Sequence, residues 1–178
     1  MCRTNRAFSF LFLRYGTIFL VSLGNLYIFH ALLTAPTVKA VAVALSPFYK
    51  VTVAGTFIYV KGVTTQIARS CVAASAYYLL FLLTWSTAEI QPRKRLYALL
   101  ISFSSLFILN IARMVFLVSI IEKPYFDTVH WILQNLTSVV AVVAIWITVT
   151  HLLKIKTLPF YSDLKYIYSL TRTKESKD

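Results

Sequence analysis

The chain has 178 residues, of which 58% are hydrophobic and 13% are charged, with 18 Lys and Arg against 6 Asp and Glu. A soluble domain carries about 25% charged and about 45–50% apolar residues, so this composition excludes an ordinary soluble protein. It also argues against nucleic-acid binding, because long uncharged runs separate the basic residues. The composition therefore predicts a membrane protein. The acidic residues are also unevenly placed, since none precedes Glu89.

Four apolar runs have the length of roughly 20 residues that crosses a hydrocarbon core of about 30 Å. They comprise residues 15–33, 72–88, 96–121 and 131–153. The first run is longer than the apolar core of a signal peptide, about 7–15 residues, so we interpret it as a signal anchor. The second is short and uncharged, and its small residues favour a packed inner helix. We predict an all-α polytopic membrane protein with a bundle of about four transmembrane helices.

The segment between the first two spans, residues 34–70, differs from a membrane helix. Apolar residues recur at helical spacing over residues 38–48, which predicts a short interfacial helix ended by Pro47, with a partial fifth span through the same residues as the alternative. Residues 51–60 are rich in β-branched and aromatic side chains around Gly55, which predicts a short extracytoplasmic β-hairpin. Because strand edges cannot face lipid, we expect this hairpin outside the hydrocarbon core.

The distribution of basic residues predicts the orientation. We assign residues 1–158 to a single transmembrane domain and residues 159–178 to a basic cytoplasmic tail. A cytoplasmic N-terminus places most Lys and Arg in the short cytoplasmic loops, as the positive-inside rule requires. Both termini are therefore predicted inside, and residues 34–70 outside. The outer segment has basic residues of its own, which are Lys39, Lys50, Lys61 and Arg69.

Three chemically active side chains from different spans are predicted at one depth in the outer leaflet. Arg113 lies in the third span, about 12 Å below its outer end at Ile121 on the helical rise per residue. An arginine inside a span usually marks function, because its insertion is costly. Cys71 begins the second span, and His130 begins the fourth. The topology thus predicts a cysteine, an arginine and a histidine close together.

This combination suggests nucleophilic catalysis. Cys71 at a helix N-terminus near a cation is favoured as a thiolate nucleophile. His130 is the candidate general base and acid, and Arg113 would stabilise an oxyanion or hold an anionic group of the substrate. The structural alternatives are a cysteine that only packs, an arginine that reaches the headgroups, and an interfacial histidine.

The remaining candidates are weaker. Cys2 is predicted across the membrane from Cys71, so the two cannot form a disulfide. His30 and His151 are interpreted as bystanders, although His30 lies near the outer end of the first span. The sequence contains neither a metal-binding pattern nor a phosphate loop, so no metal and no cofactor are expected.

At the candidate site the chain resembles the exosortase/archaeosortase family of membrane transpeptidase-like enzymes. Residues 67–71, Ile-Ala-Arg-Ser-Cys, are similar to the segment leading into the family's nucleophilic cysteine. Residues 109–113, Leu-Asn-Ile-Ala-Arg, are similar to its Asn-x-x-Arg helix, and His130 stands where the family places its third catalytic residue. The resemblance extends over residues 38–150. It departs from the family at Val72-Ala73, where many members have Ser or Thr and then Gly, and the chain is shorter than typical members.

The resemblance implies a cysteine protease or transpeptidase in the plasma membrane of a prokaryote, with its site facing outside. The substrate would be a secreted protein with a C-terminal sorting signal, made of a short motif, a hydrophobic helix and a basic end. Cys71 would form a thioester with the scissile carbonyl, His130 would handle protons, Arg113 would stabilise the oxyanion, and Asn110 would orient Arg113 or contact the substrate. An amine, a lipid-linked acceptor or water would release the product. The alternatives are a non-enzymatic membrane scaffold or assembly subunit, and a thiol acyltransferase.

Overall fold

The computed structural model describes residues 2–24, 26–87 and 90–155 of the chain. Within these residues it contains six α-helices, three strands, one 3-10 turn and one π-helical turn. In chain order they are α1 (Cys2–Leu23), α2 (Tyr27–Leu45), β1 (Thr52–Ala54), β2 (Phe57–Val60), β3 (Val63–Gln66), the 3-10 turn (Arg69–Val72), α3 (Ala74–Ser86), α4 (Pro92–Ser119), α5 (Phe126–Ile132), the π turn (Leu133–Thr137) and α6 (Ser138–Leu152). The predicted basic tail, residues 159–178, lies outside the described residues.

Three helical stretches of the described chain are long and apolar enough to cross a membrane. They are Tyr27–Leu45, Pro92–Ser119 and Phe126–Leu152. The predicted second span, residues 72–88, contains the shorter helix α3, whose 13 residues extend over about 20 Å. The prediction is therefore confirmed at a coarser level, as a mostly helical chain with three membrane-length helices and a small sheet.

The first predicted span, residues 15–33, is wrong as a single helix. α1 ends at Leu23 and α2 begins at Tyr27, because Gly24 is a weak helix former and Leu26 takes a left-handed conformation with φ of 62°. Hydropathy stays high on both sides of the break, so an apolar window does not detect it. α2 then continues to Leu45, so residues 38–45 belong to a membrane-length helix and do not form a short separate one as predicted.

The predicted hairpin is confirmed, and the structure adds a third strand. β1 pairs with β2 and β2 with β3, both antiparallel, in the order β1-β2-β3. Lys61 and Gly62 connect β2 to β3 with φ of 52° and 76°, the positive values that a type I′ hairpin turn needs. The inward side chains Ile58 and Val60 of β2 are almost fully buried. The sheet therefore closes over one end of the helices.

α4 lies at the centre of the fold and packs against α2, α3 and α6. Near the sheet, Val41 and Leu45 of α2 form one apolar cluster with Ile58, Met114 and Val118. Farther from the sheet, an aromatic cluster joins three helices. There Phe103 of α4 contacts Tyr77 of α3 edge-on at 5.3 Å between ring centroids and Phe29 of α2 at 6.3 Å.

The last predicted span, residues 131–153, begins earlier in the structure. α5, the π turn and α6 form one helical stretch from Phe126 to Leu152. His130 is therefore inside α5 and does not begin the span, contrary to the prediction. A π turn within a helix changes the direction of the side chains that follow it and often lies at a functional site.

Candidate functional site

Cys71 lies in the 3-10 turn that connects β3 to α3. The turn is closed by the Cys71 amide, which donates to the Ala68 carbonyl at 3.0 Å, and Ala73 then adopts a left-handed φ of 58° before α3 begins. Val72 is fully buried in the apolar cluster beneath the sheet, whereas Cys71 is half-buried. Burial of Val72 in this cluster accounts for an apolar side chain directly after the cysteine.

Two side chains of α4 converge on the backbone carbonyl of Cys71. Asn110 Nδ2 donates to this oxygen at 3.0 Å, and Arg113 Nη2 donates to it at 3.3 Å. The two residues are three positions apart and therefore share one face of α4. Arg113 Nη1 also donates to the Leu133 carbonyl at 3.4 Å. The guanidinium group thus connects the cysteine turn to the π turn.

Gln134 of the π turn makes a further contact with the cysteine turn. Its Nε2 donates to the Ser70 carbonyl at 2.8 Å. Donors from α4 and from the last helical stretch therefore hold two consecutive carbonyls, those of Ser70 and Cys71. Gln134 was not predicted from the sequence, although an amide side chain within an apolar run is a detectable signal.

Cys71 and His130 line the same cavity, which has a volume of about 300 Å³. The His130 ring stacks on Phe126 of the same helix, with 5.7 Å between centroids and 14° between planes. Asn110 and Arg113 line a neighbouring cavity of about 240 Å³ on the other side of the cysteine turn. The four predicted site residues are therefore brought together, but they line two cavities.

The cavity of Cys71 has one polar wall. Thr64, Thr65 and Gln66 of β3 line it, followed by Ile67 and Ala68. The other lining residues are apolar except Cys71 and His130, and they are Val41, Ile58, Met114, Leu117, Val118, Ile121 and Phe126. A largely apolar pocket with a few polar groups is typical of a binding site for a specific ligand.

His30, interpreted as a bystander from the sequence, lines another cavity, of about 690 Å³. This cavity and that of Cys71 share Gln66, Ile67 and Ala68 as a common wall. His151 lies in the last turn of α6. Among the described residues, no group of three or more His, Cys, Asp or Glu is arranged to hold a metal ion.

Comparison of the chain with protein-family models, with curated proteins and with solved structures finds no match.

Proposed function

We propose that the protein is a membrane-embedded cysteine transpeptidase or protease of the exosortase/archaeosortase type. It would process C-terminal sorting signals of secreted proteins at the outer leaflet. The observation that carries this proposal is the double hydrogen bond from Asn110 and Arg113 to the Cys71 carbonyl, next to a cavity that the cysteine shares with His130. Side chains distant in sequence thus come together around the turn that carries the cysteine, which supports a role for its thiol in catalysis.

Backbone geometry after the cysteine adds support. Ala73 has a left-handed φ of 58°, and it stands at the position where the resembled family often has glycine. Glycine adopts this conformation without strain, whereas other residues do so at a cost. The glycine that many family members have at this position is therefore consistent with the left-handed backbone of Ala73 in this chain.

In the proposed reaction, the Cys71 thiolate adds to the scissile carbonyl and forms a C–S bond. The tetrahedral intermediate collapses, the C–N bond breaks, and the leaving amine takes a proton from protonated His130. The acceptor, an amine, a lipid hydroxyl or water, then attacks the thioester while neutral His130 removes its proton. The C–S bond breaks and the thiolate is restored. Arg113 supplies positive charge beside the thiol and holds the turn that presents it.

The proposed topology has four crossings, with both termini in the cytoplasm and the sheet outside. The first crossing would consist of the second half of α1 followed by α2. In support, Trp85 near the C-terminal end of α3 donates to Thr17 of α1 at 2.9 Å, whereas Phe29 of α2 contacts Tyr78 near the other end of α3. α1 and α2 together therefore run antiparallel to α3, from its C-terminal end toward its N-terminal end. The excess of basic residues on the predicted cytoplasmic side favours this orientation in a prokaryotic plasma membrane.

Activity is tested with the full chain expressed together with a secreted reporter. The reporter ends in a candidate signal from the same genome, composed of a short motif, a hydrophobic helix and a basic end. We expect the wild-type chain and Cys2→Ala to shorten the reporter and Cys71→Ala to leave it intact. Processing by an inserted Cys71→Ala protein would contradict the thiol mechanism and favour the scaffold alternative.

Two further measurements separate the remaining possibilities. Mass spectrometry of the wild-type protein, quenched with acid during processing of the reporter so that the thioester is preserved, is expected to find a peptide on Cys71. An acyl chain there would indicate a thiol acyltransferase instead. For the orientation, a membrane-impermeant maleimide applied to intact cells should label the Cys2→Ala protein and not the Cys71→Ala protein. The reverse pattern would overturn the proposed topology.

A further inference from the structure

β3 is an edge strand, and the register of its hairpin with β2 determines which of its backbone groups are unpaired. The two-residue turn of Lys61 and Gly62 makes Val60 and Val63 a hydrogen-bonded pair, and the Ile67 amide donates to the Thr56 carbonyl at 2.9 Å. Hydrogen-bonded and non-hydrogen-bonded pairs alternate along an antiparallel ladder. The N–H and C=O groups of Thr64 and Gln66 therefore point away from β2. In the described part of the chain, no strand pairs with this side.

The free edge of β3 leads into the cavity that contains the thiol. Thr64, Thr65 and Gln66 line this cavity together with Cys71, and the strand runs toward the cysteine turn. The Thr65 hydroxyl is buried and has no hydrogen-bond partner among the described residues. A buried hydroxyl without a partner is costly, so it favours a ligand that carries a polar group.

We propose that the substrate binds as an additional β-strand along the free edge of β3, parallel to it, with the scissile bond at Cys71. This proposal rests on the proposed function. The bound segment is the extended peptide immediately before the scissile bond, and its backbone exchanges hydrogen bonds with Thr64 and Gln66. Four strand residues extend over about 13 Å, which accommodates about four residues of peptide.

The charge of the surroundings restricts the side chains of this peptide. Lys61 is exposed in the turn directly before β3. Glu122 and Asp127 are exposed next to Ile121 and Phe126, which also line the cavity. A peptide side chain at the Lys61 end of β3 is therefore attracted when it is acidic and repelled when it is basic. The backbone groups of Thr64 and Gln66 that face away from β2, together with the Thr65 hydroxyl, define the occupant as an extended peptide and not as a lipid tail.

The probe for this proposal is a peptidyl vinyl sulfone with a peptide of about four residues. The Cys71 thiolate adds to the vinyl carbon that is attached to the peptide, and a proton is taken up at the vinyl carbon next to the sulfone, so no substrate turnover is required. Two isomers of the probe are compared. One carries N-methyl groups on every second backbone amide, and the other carries them on the remaining amides. Because only alternate amides of a strand face its partner, one isomer should label Cys71 about ten-fold more slowly than the unmethylated probe and the other at nearly the same rate.

Proline variants test the protein side of the same hydrogen bonds. Thr64→Pro removes an N–H that faces the free edge and leaves the ladder to β2 intact. The matched control is Val53→Pro, because the register places the Val53 N–H on the opposite free edge of the sheet, away from the cavity. We expect Thr64→Pro to lower the labelling rate of the peptidyl probe about ten-fold and Val53→Pro to leave it unchanged.

Iodoacetamide labelling distinguishes failure of this proposal from failure of the proposed function. It reports the reactivity of Cys71 without peptide binding, and it should be equal in the wild type, Thr64→Pro and Val53→Pro. If iodoacetamide labels Cys71 but both methylated probes react like the unmethylated one, strand addition is overturned and the catalytic thiol stands. If Cys71 resists every reagent in the folded wild-type protein, the proposed function itself fails. Faster labelling by a lysine-containing probe than by its glutamate analogue would overturn the charge preference.

Discussion

α4 carries two arginines that make the same type of hydrogen bond at opposite ends of α3. Arg95 Nη2 donates to the carbonyl of Thr87, the C-terminal cap residue of α3, at 2.9 Å. Arg113 Nη2 donates to the carbonyl of Cys71, in the turn that precedes α3, at 3.3 Å. The arginines are separated by about 27 Å along α4 at the helical rise. One helix thus holds both ends of its neighbour by the same means.

The surroundings of the two arginines differ. The Arg95 guanidinium lies over the Trp85 ring, 5.5 Å from its centroid, and Trp85 in turn donates to Thr17. The Arg113 guanidinium shares its acceptor with Asn110 and also reaches the π turn. Arg95 therefore packs a helix end, whereas Arg113 connects three chain segments at a thiol. The comparison teaches that a hydrogen bond from an arginine to a carbonyl does not by itself distinguish a residue that packs a helix end from a candidate site residue; the groups around the arginine do.

The largest expected effect separates these two arginines directly. Arg113→Gln should lower the rate of reporter processing about 10²- to 10³-fold, because it removes charge and positioning at the thiol. Arg95→Gln should keep the rate within about three-fold, because its partners are structural. The measurement is the processing rate per mole of folded protein, with the thermal unfolding midpoint in detergent determined for each variant.

Arg113→Lys separates the effect of positive charge from the effect of hydrogen-bond geometry. A lysine keeps the positive charge but lacks the planar fork that reaches the carbonyls of Cys71 and Leu133 together. We expect it to recover only part of the lost activity, about ten-fold above Arg113→Gln. Equal losses of activity in Arg95→Gln and Arg113→Gln would remove the distinction between the two ends of α4.

The two histidines of the last helical stretch extend the comparison. His130 lines the cavity of Cys71, whereas His151 is exposed in the last turn of α6. Loss of a general acid or base costs about 10²-fold or more, so His130→Gln should slow processing by at least this factor. His151→Gln should process the reporter at the wild-type rate. A wild-type rate in His130→Gln would exclude the imidazole from the reaction.

The sequence predicted that Cys71, Arg113 and His130 lie close together, because the ends of apolar runs give an expected depth for each residue. Cys71, Arg113 and His130 were placed at one level from the ends of three apolar runs, and in the structure Arg113 contacts the Cys71 carbonyl while His130 lines the same cavity as the thiol. The atom that Arg113 contacts was not predictable in this way. It depends on the 3-10 turn between β3 and α3, which presents the Cys71 carbonyl to α4.

Local backbone features account for the parts of the fold that were not predicted from the sequence. The break between α1 and α2 depends on the left-handed conformation of Leu26, which hydropathy does not encode. β3 contains only four residues, two of them threonines, and its pairing depends on the turn at Gly62. Short polar strands of this kind have a weak apolar alternation, so their existence is determined by the neighbouring strand.

Asn110 gives a smaller expected effect, because Arg113 remains on the same carbonyl. Asn110→Ala should lower the processing rate about ten-fold, by loosening the cysteine turn. Its matched control is Ser102→Ala, since Ser102 is buried two turns earlier on α4 and its hydroxyl has no partner among the described residues. Removing that hydroxyl should leave the rate unchanged and the unfolding midpoint equal or higher. A loss of activity in Ser102→Ala as large as that in Asn110→Ala would indicate general packing and not positioning of Cys71.

The smallest expected effect concerns the hydrogen bond from Gln134 to the Ser70 carbonyl. Ser70 is exposed, so water can replace the lost donor, and Gln134→Ala should slow processing only about three-fold. Asn135→Ala is the matched control, because the Asn135 side chain donates within its own helix to the Trp131 carbonyl at 2.9 Å. If both variants slow processing equally, the π turn acts through its own backbone shape. If only Gln134→Ala does so, the cysteine turn is held from two helices, whereas the opposite end of α3 is held by Arg95 of α4.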